Sequence, residues 1–202
     1  MPVSEWRFFE DGEIPYVSTA EFHSDRGRAP HLEQPHHRPR LVRASQLVVK
    51  AFHGVRLGAV SDLGCGDGGL LSLLQSSYGI ECWGYDFTPA NVAGWEERGV
   101  TAQRADVFGA DRDKIKFGDL TVVTEVLEHI ADPHGAVRWI GQNSKWIVAS
   151  SPHVEGPWGH DECHAWAWDP EGYQALIKQG GFEIIEHNDL NPFQVILGRR
   201  GE

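Results

Sequence analysis

The sequence predicts an α/β protein built on a doubly wound, mostly parallel seven-stranded sheet with an antiparallel closing strand, and three observations carry that prediction. From position 41 onward, short apolar runs alternate with helical patterns, the mark of βαβ units. A glycine-rich stretch, Asp62-Leu-Gly64-Cys-Gly66-Asp67-Gly68-Gly69, follows one such run and opens a helical segment. Asp86 and Asp106 end the next two runs, at the carboxyl ends of strands where ligands meet an open parallel sheet. Right-handed crossovers then make the doubly wound arrangement the natural result.

Each element has its own signal. Residues 1–40, rich in Pro, His and Arg and without periodicity, read as an irregular arm or lid, leaving 41–202 as the domain proper. LVRASQLVVKAF places Leu41, Ala44, Val48 and Ala51 on one helical face. AVSDLG reads as the first strand, and Leu70, Leu71, Leu73 and Leu74 begin the helix after it. ECWGYD is the second strand; Thr88-Pro89 then predicts a helix start, with the hydroxyl as N-cap and proline in the first helical position. VTAQRAD, DLTVVTEV and KWIVASSP supply three more strands, with DPHGAVRWI as the helix between the last two. DPEGYQALIKQGGF reads as a helix stopped by glycine. FEIIEHND and FQVILGRR suit a closing antiparallel pair.

Composition narrows the function classes. With 202 residues the chain suits a single domain. Its 18 Lys and Arg against 29 Asp and Glu give a net charge of -11, the opposite of the basic footprint that grips nucleic acid by its phosphates. No apolar run reaches the length of a membrane span. The N-terminus carries acids where a signal peptide needs basic and then apolar residues, and three cysteines form no CxxC pair; both features predict a reducing, cytoplasmic setting. Three His and three Trp fall between positions 153 and 168.

The glycine stretch satisfies GxGxxG through Gly64, Gly66 and Gly69, so a dinucleotide site has to be weighed first. A pyrophosphate needs backbone N–H groups and the positive helix end, free of nearby carboxylates. Asp62 and Asp67 flank this turn and would repel it. A cationic ligand without phosphate fits better. Asp86 stands where a carboxylate can accept both ribose hydroxyls, and Asp106 where a side chain can meet an adenine amino group.

Together, DLGCGDGG at 62–69, GYD at 84–86, AD at 105–106 and TEVLEHI at 124–130 resemble the class I S-adenosylmethionine-dependent methyltransferases, over about residues 41–200. The resemblance implies S-adenosylmethionine as cofactor, a ligand bearing an ammonium and a sulfonium. It also implies that Asp62, Gly64 and Gly66 line its methionine part, Asp86 its ribose, and Asp106 with Val107 its adenine, with Cys65 and Phe87 also in the cofactor site. Glu125 and Val126 would stand beside it, and Arg40, chosen over Arg38 and Arg43, would meet its carboxylate. GQNSK replaces the Lys-Pro-Gly-Gly turn frequent in relatives before the fifth strand, which leaves that loop's shape open.

For the acceptor, orientation behind the sulfonium methyl is the main requirement, and an oxygen or nitrogen nucleophile can also need a base, typically His. His129 and His164 are the candidates, with a small-molecule acceptor enclosed by the arm and the His/Trp segment. A second, weaker resemblance is to metal-dependent ribose methyltransferases acting at small-RNA 3′ ends. It implies a divalent cation on Glu125, Glu128, His129 and His164, oxygens and imidazoles that suit Mg, Mn or Zn. The acidity of residues 151–202, with 3 basic against 9 acidic side chains, argues against an RNA acceptor. The two remaining alternatives are a regulatory module that binds the cofactor without catalysis, and a nicotinamide enzyme.

Overall fold

The computed structural model describes residues 4–53 and 58–201. Among these residues, nine strands and six α-helices follow one another as β1 (Glu5–Arg7), α1 (Ala20–Ser24), α2 (Arg38–Phe52), β2 (Val60–Leu63), α3 (Gly69–Tyr78), β3 (Cys82–Asp86), α4 (Val92–Arg98), β4 (Ala102–Arg104), β5 (Leu120–Thr124), α5 (Pro133–Asn143), β6 (Trp146–Pro152), β7 (Trp166–Trp168), α6 (Pro170–Lys178), β8 (Phe182–Asp189) and β9 (Phe193–Arg200). The main sheet has seven strands in the order β4-β3-β2-β5-β6-β9-β8. Its first five strands are parallel, and β9 runs antiparallel to both β6 and β8. The order reverses between β2 and β5, the switch point at which such sheets bind ligands.

Strand alternation builds the two layers. Val148 and Val122 turn to one face, with α2 and α3, while Ile147, Ala149 and Val123 turn to the other, with α5 and α6. Leu41, Ala44, Val48 and Ala51 of α2 are all buried, as their helical spacing requires. Among the described residues no helix is long and apolar enough to cross a membrane.

Three local expectations are corrected. The arm is not irregular throughout: β1 pairs antiparallel with β7, Trp168 Nε1 donates to Glu5 Oε2 at 2.7 Å, and α1 is capped by Thr19 Oγ1, which accepts from Phe22 N at 3.2 Å. The first long helix begins at Arg38 with Pro39 in its opening turn, three residues before the apolar periodicity starts. After Thr88 the chain makes a 3-10 turn, Pro89–Asn91, in which the threonine hydroxyl caps nothing. Asn91 N donates instead to the Thr88 carbonyl at 3.1 Å, and Asp86 Oδ1 accepts from Thr88 N at 2.8 Å and Asn91 Nδ2 at 3.1 Å. The loop left open by GQNSK is closed by Ser144, which ends α5, donates to Gly118 O at 3.0 Å and meets Thr121 Oγ1 at 2.6 Å.

Candidate active site

A cavity of about 790 Å³ opens at the carboxyl ends of β2, β3, β5 and β6, roofed by the arm through Ser18, His23, Arg26 and His31. The arm is tied down at both ends. Ser18 Oγ donates to His129 O at one; at the other, Arg28 Nε donates to Asp67 Oδ2 at 3.2 Å and Ala29 N to Asn91 Oδ1 at 3.3 Å.

At one end of the cavity lies the turn between β2 and α3. Gly64 and Gly66 have φ of 80° and 54°, in the region that glycine alone adopts freely. A Cβ on Gly64 would stand 2.4 Å from Val126 Cγ2, so the turn packs directly on the segment after β5. Asp86 Oδ2 accepts from Gly66 N at 3.0 Å, fixing the turn to the end of β3. Asp62 is fully buried, its Oδ1 has no hydrogen-bond partner among the described residues, and burial together with Asp86 pushes its pKa up to about 7. Arg40 is also buried: Nε and Nη1 lack hydrogen-bond partners among the described residues, Nη2 stands 3.4 Å from His31 Nδ1, and Glu125 Oε1 lies 3.9 Å from Nε. Arg38 is exposed, and Arg43 faces Asn188 and Glu186. Cys65, Phe87, Asp106, Val107, Glu125 and Val126 line the same cavity. The Asp106 carboxylate accepts from Ala110 N at 3.1 Å. Burial and the surrounding carboxylates raise the Cys65 thiol well above its ordinary range, so it is no nucleophile.

At the other end, the chain leaves β5 through Glu125, which holds φ of 55°, a strained value for a side-chain-bearing residue. Two hydrogen bonds to Ser150 hold it there: Glu125 N to Ser150 O at 3.0 Å and Ser150 Oγ to Glu125 Oε1 at 2.7 Å. The following 3-10 turn, Leu127–His129, points Glu128 and His129 inward. Glu128, His129 and His164 offer ligand atoms that all lie within 4.8 Å of one another. Glu125, the fourth residue of the expected set, is not in this group; it adjoins Arg40 and Ser150. Among the described residues neither buried oxygen of Glu128 has a hydrogen-bond partner, and burial, then Glu125, raise its pKa well above the carboxylate range. His129 Nδ1 donates to Cys163 O at 2.7 Å, and His164 Nδ1 to Glu155 Oε2 at 2.6 Å. Burial and the adjacent His164 lower His129 to about 3, so its imidazole is neutral at pH 7.

Not all candidates converge. His153 turns away to Asp189 at 2.8 Å, and His160 stacks on Phe8 outside the cavity. Trp166 and Trp168 are core residues stacked at 6.1 Å, with Trp168 against Tyr173 of α6. Sequence reasoning missed His23 and Glu155. His23, 4.5 Å from the Phe87 ring, lies in the arm where no pattern singled it out. Glu155 is a lone acid in a loop, with no motif around it.

Comparison with known proteins agrees with this geometry. Residues 36–187 match the family model described as a methyltransferase domain. No curated protein matches the sequence. Among solved structures, the N-methyltransferase NodS from Bradyrhizobium japonicum WM9, in complex with S-adenosyl-L-homocysteine, is 16% identical with a TM-score of 0.65, over 91% of this chain and 97% of that one. The N-terminal domain of EvdMO1 with S-adenosylhomocysteine bound is 16% identical, with a TM-score of 0.62 over 90% and 94% of the two chains. The methyltransferase domain of bacterial CtHen1-C is 17% identical, with a TM-score of 0.58 over 80% of this chain and all of that one. Glycine turn, strand-end carboxylates, sheet order and family match coincide in one chain, which belongs to the class I S-adenosylmethionine-dependent methyltransferases.

Proposed function

We propose that this enzyme methylates a hydroxyl oxygen of a small acceptor held beside a divalent cation on Glu128, His129 and His164. The observation that carries the reading is the Glu128 carboxylate, buried with neither oxygen partnered, beside two imidazoles whose Nδ1 atoms are engaged from behind. A buried carboxylate without partners is costly, and a cation held by it and the two imidazoles would relieve that cost. Three protein ligands leave positions open, as in catalytic rather than structural sites. When bound, such an ion polarises the acceptor hydroxyl and favours its ionised form.

The cofactor reading assigns each group at the other end. Asp62 Oδ1 takes the methionine ammonium and Arg40 its carboxylate, which supplies partners to buried atoms that otherwise have none. Gly64, Cys65 and Gly66 line the same part through their backbone, Asp86 accepts the ribose hydroxyls, and Phe87, Asp106 and Val107 face the adenine. Glu125 and Val126 flank the sulfonium. The methyl carbon would form its new bond to the acceptor oxygen as its bond to sulfur breaks, the electron pair staying on the sulfur of S-adenosylhomocysteine and the hydroxyl proton released to solvent. The chain's part in that step is alignment and exclusion of water by the arm.

The cavity volume falls in the range of small-ligand sites. Neighbouring hydroxyls that chelate the ion are the acceptor chemistry such a site favours, and one fold neighbour was crystallised in the presence of D-fucose. A second reading, 2′-O-methylation of an RNA 3′ end, draws on the same ligand group, and the acidic surface weighs against it. The test is transfer of labelled methyl from S-adenosylmethionine to a panel of catechols, sugars and a short oligoribonucleotide, with EDTA and then added Mn²⁺. Transfer to a small diol, lost with EDTA and restored by Mn²⁺, supports the proposal. Transfer indifferent to EDTA refutes the cation, and transfer to the oligonucleotide alone replaces the acceptor.

A further inference from the structure

We infer that Glu155 is the positioning residue for the cation site: it fixes His164 in the Nδ1–H tautomer and aims Nε2 at Glu128 and His129. The inference rests on the cation reading above and extends it to a residue outside the ligand set.

Glu155 lies in the loop between β6 and β7, nine residues before His164. Its Oε2 is 2.6 Å from His164 Nδ1, and the two side chains are 15% and 11% exposed, so the contact is shielded from solvent. An ionised carboxylate can only accept; the proton of this hydrogen bond is therefore on Nδ1, and in the neutral ring Nε2 carries the lone pair. The other carboxylate oxygen of Glu155 accepts from Asp161 N at 3.3 Å. This second bond ties Glu155 to the segment that carries His164, and Asp161 Oδ1 accepts in turn from Cys163 N at 2.8 Å. The carbonyl of Cys163 is the acceptor for His129 Nδ1. One short loop thus orients both imidazoles, one through a carboxylate and one through a backbone carbonyl. Histidines that ligate metal generally donate their other ring N–H to such an acceptor, which sets tautomer and ring direction.

The two anchors differ in a testable way. A backbone carbonyl survives any side-chain substitution, so Glu155 is the one anchor that a point change removes. It is not itself placed among the ligands: its nearer oxygen is committed to His164 Nδ1.

The experiment measures Mn²⁺ binding to the full chain by calorimetry, with S-adenosylhomocysteine binding measured alongside. Glu155→Ala is expected to weaken Mn²⁺ by roughly 10–100-fold and leave the homocysteine ligand within twofold. Glu155→Gln, whose amide oxygen still accepts from Nδ1, is expected to recover most of the loss. Rescue of this kind separates a positioning hydrogen bond from a general need for charge or bulk. Glu155→Ala binding Mn²⁺ like the unmodified protein, or Glu155→Gln as weak as Glu155→Ala, overturns the assignment. An unmodified protein that binds no Mn²⁺ overturns the cation reading and the inference with it. If the alanine variant does not fold, the unmodified protein still decides: ¹H–¹⁵N correlation of the His164 ring at mildly basic pH is expected to report Nδ1–H, and an Nε2–H ring refutes the role given to Glu155.

Discussion

The two ends of the cavity are organised by different means. At the cofactor end, Asp86 is held by Gly66 N, Thr88 N and Asn91 Nδ2, the most distant of them 20 residues away in sequence. At the acceptor end, His129 is anchored to a carbonyl 34 residues away and touched by Ser18 of the arm, 111 residues away. The first end belongs to consecutive strand–turn–helix units, and short-range bonds to the Asp86 carboxylate preset it. The second exists only once β7, the loop before it and the arm have docked. Ligand specificity can therefore change at the acceptor end while the cofactor end stays intact.

The largest expected effect breaks the preset end. Asp86→Ala removes the acceptor of three protein hydrogen bonds as well as the proposed ribose contact, and groups bound to a charge cost several kcal/mol to strand. S-adenosylhomocysteine affinity should fall by roughly 100-fold or more in calorimetry, with Mn²⁺ binding unchanged. Unimpaired cofactor binding would refute the site assignment. Glu128→Gln is the mirror experiment. Second-layer losses already reach ~10–100-fold at metal sites, so loss of a direct ligand should cost about 100-fold in Mn²⁺ affinity and leave S-adenosylhomocysteine alone. The variant should fold, because burial already favours the neutral form of this side chain. If each substitution damaged both ligands, the two ends would not be separable, and the comparison would fail.

A smaller effect comes from Asp62, whose pKa is raised to about 7 by burial and by Asp86. In the free protein the neutral form is the preferred one. Its contribution to stability is thus complete below the ordinary carboxylate pKa and is lost as pH rises through about 7. A bound ammonium reverses that preference and favours the ionised form. S-adenosylhomocysteine affinity should accordingly rise by about tenfold between roughly pH 6 and pH 8, and Asp62→Asn should flatten that rise. The same slope in both proteins would assign the titration to another group.

The same contrast explains what the sequence made legible. The alternation of strands and helices, the glycine turn and the strand-end aspartates are local patterns, and the doubly wound, mostly parallel sheet followed from them. Thr88 misled because a hydroxyl before proline is a good cap in isolation, whereas here the turn closes through its backbone, Asn91 N donating to the Thr88 carbonyl, and the Asp86 carboxylate holds Thr88 N and the Asn91 side chain. β1 escaped notice since three residues of EWR carry no periodicity; their strand character comes from pairing with Trp166–Trp168. At the acceptor end, residue types were readable but their directions were not. His153, His160 and His164 look alike in sequence, and only His164 reaches the cavity. Glu155 gains its place from the fold alone.

The smallest expected effect tests whether the arm joins the two ends mechanically. Arg28 strapped to Asp67 at 3.2 Å and to Glu97 at 2.7 Å holds the arm over the glycine turn. Asp67 is nearly inaccessible, yet it does not depend on Arg28 alone: Arg98 Nη2 also meets it at 2.8 Å and binds Glu33 of the arm as well. Arg28→Gln therefore leaves no buried carboxylate unpaired: it removes one of the two cations on Asp67 and the partly exposed pair with Glu97, the latter worth about 0–1 kcal/mol. The expected change is a ~2–5-fold weaker S-adenosylhomocysteine affinity, expressed as faster dissociation, and high salt should narrow the gap by screening the unmodified protein's pairs. Mn²⁺ affinity should not move, since the acceptor end keeps its own tie through Ser18. A tenfold or larger loss that high salt does not reduce would mean that the arm is a wall of the cofactor end rather than a strap across it. The preset end would then depend on tertiary docking as much as the other does.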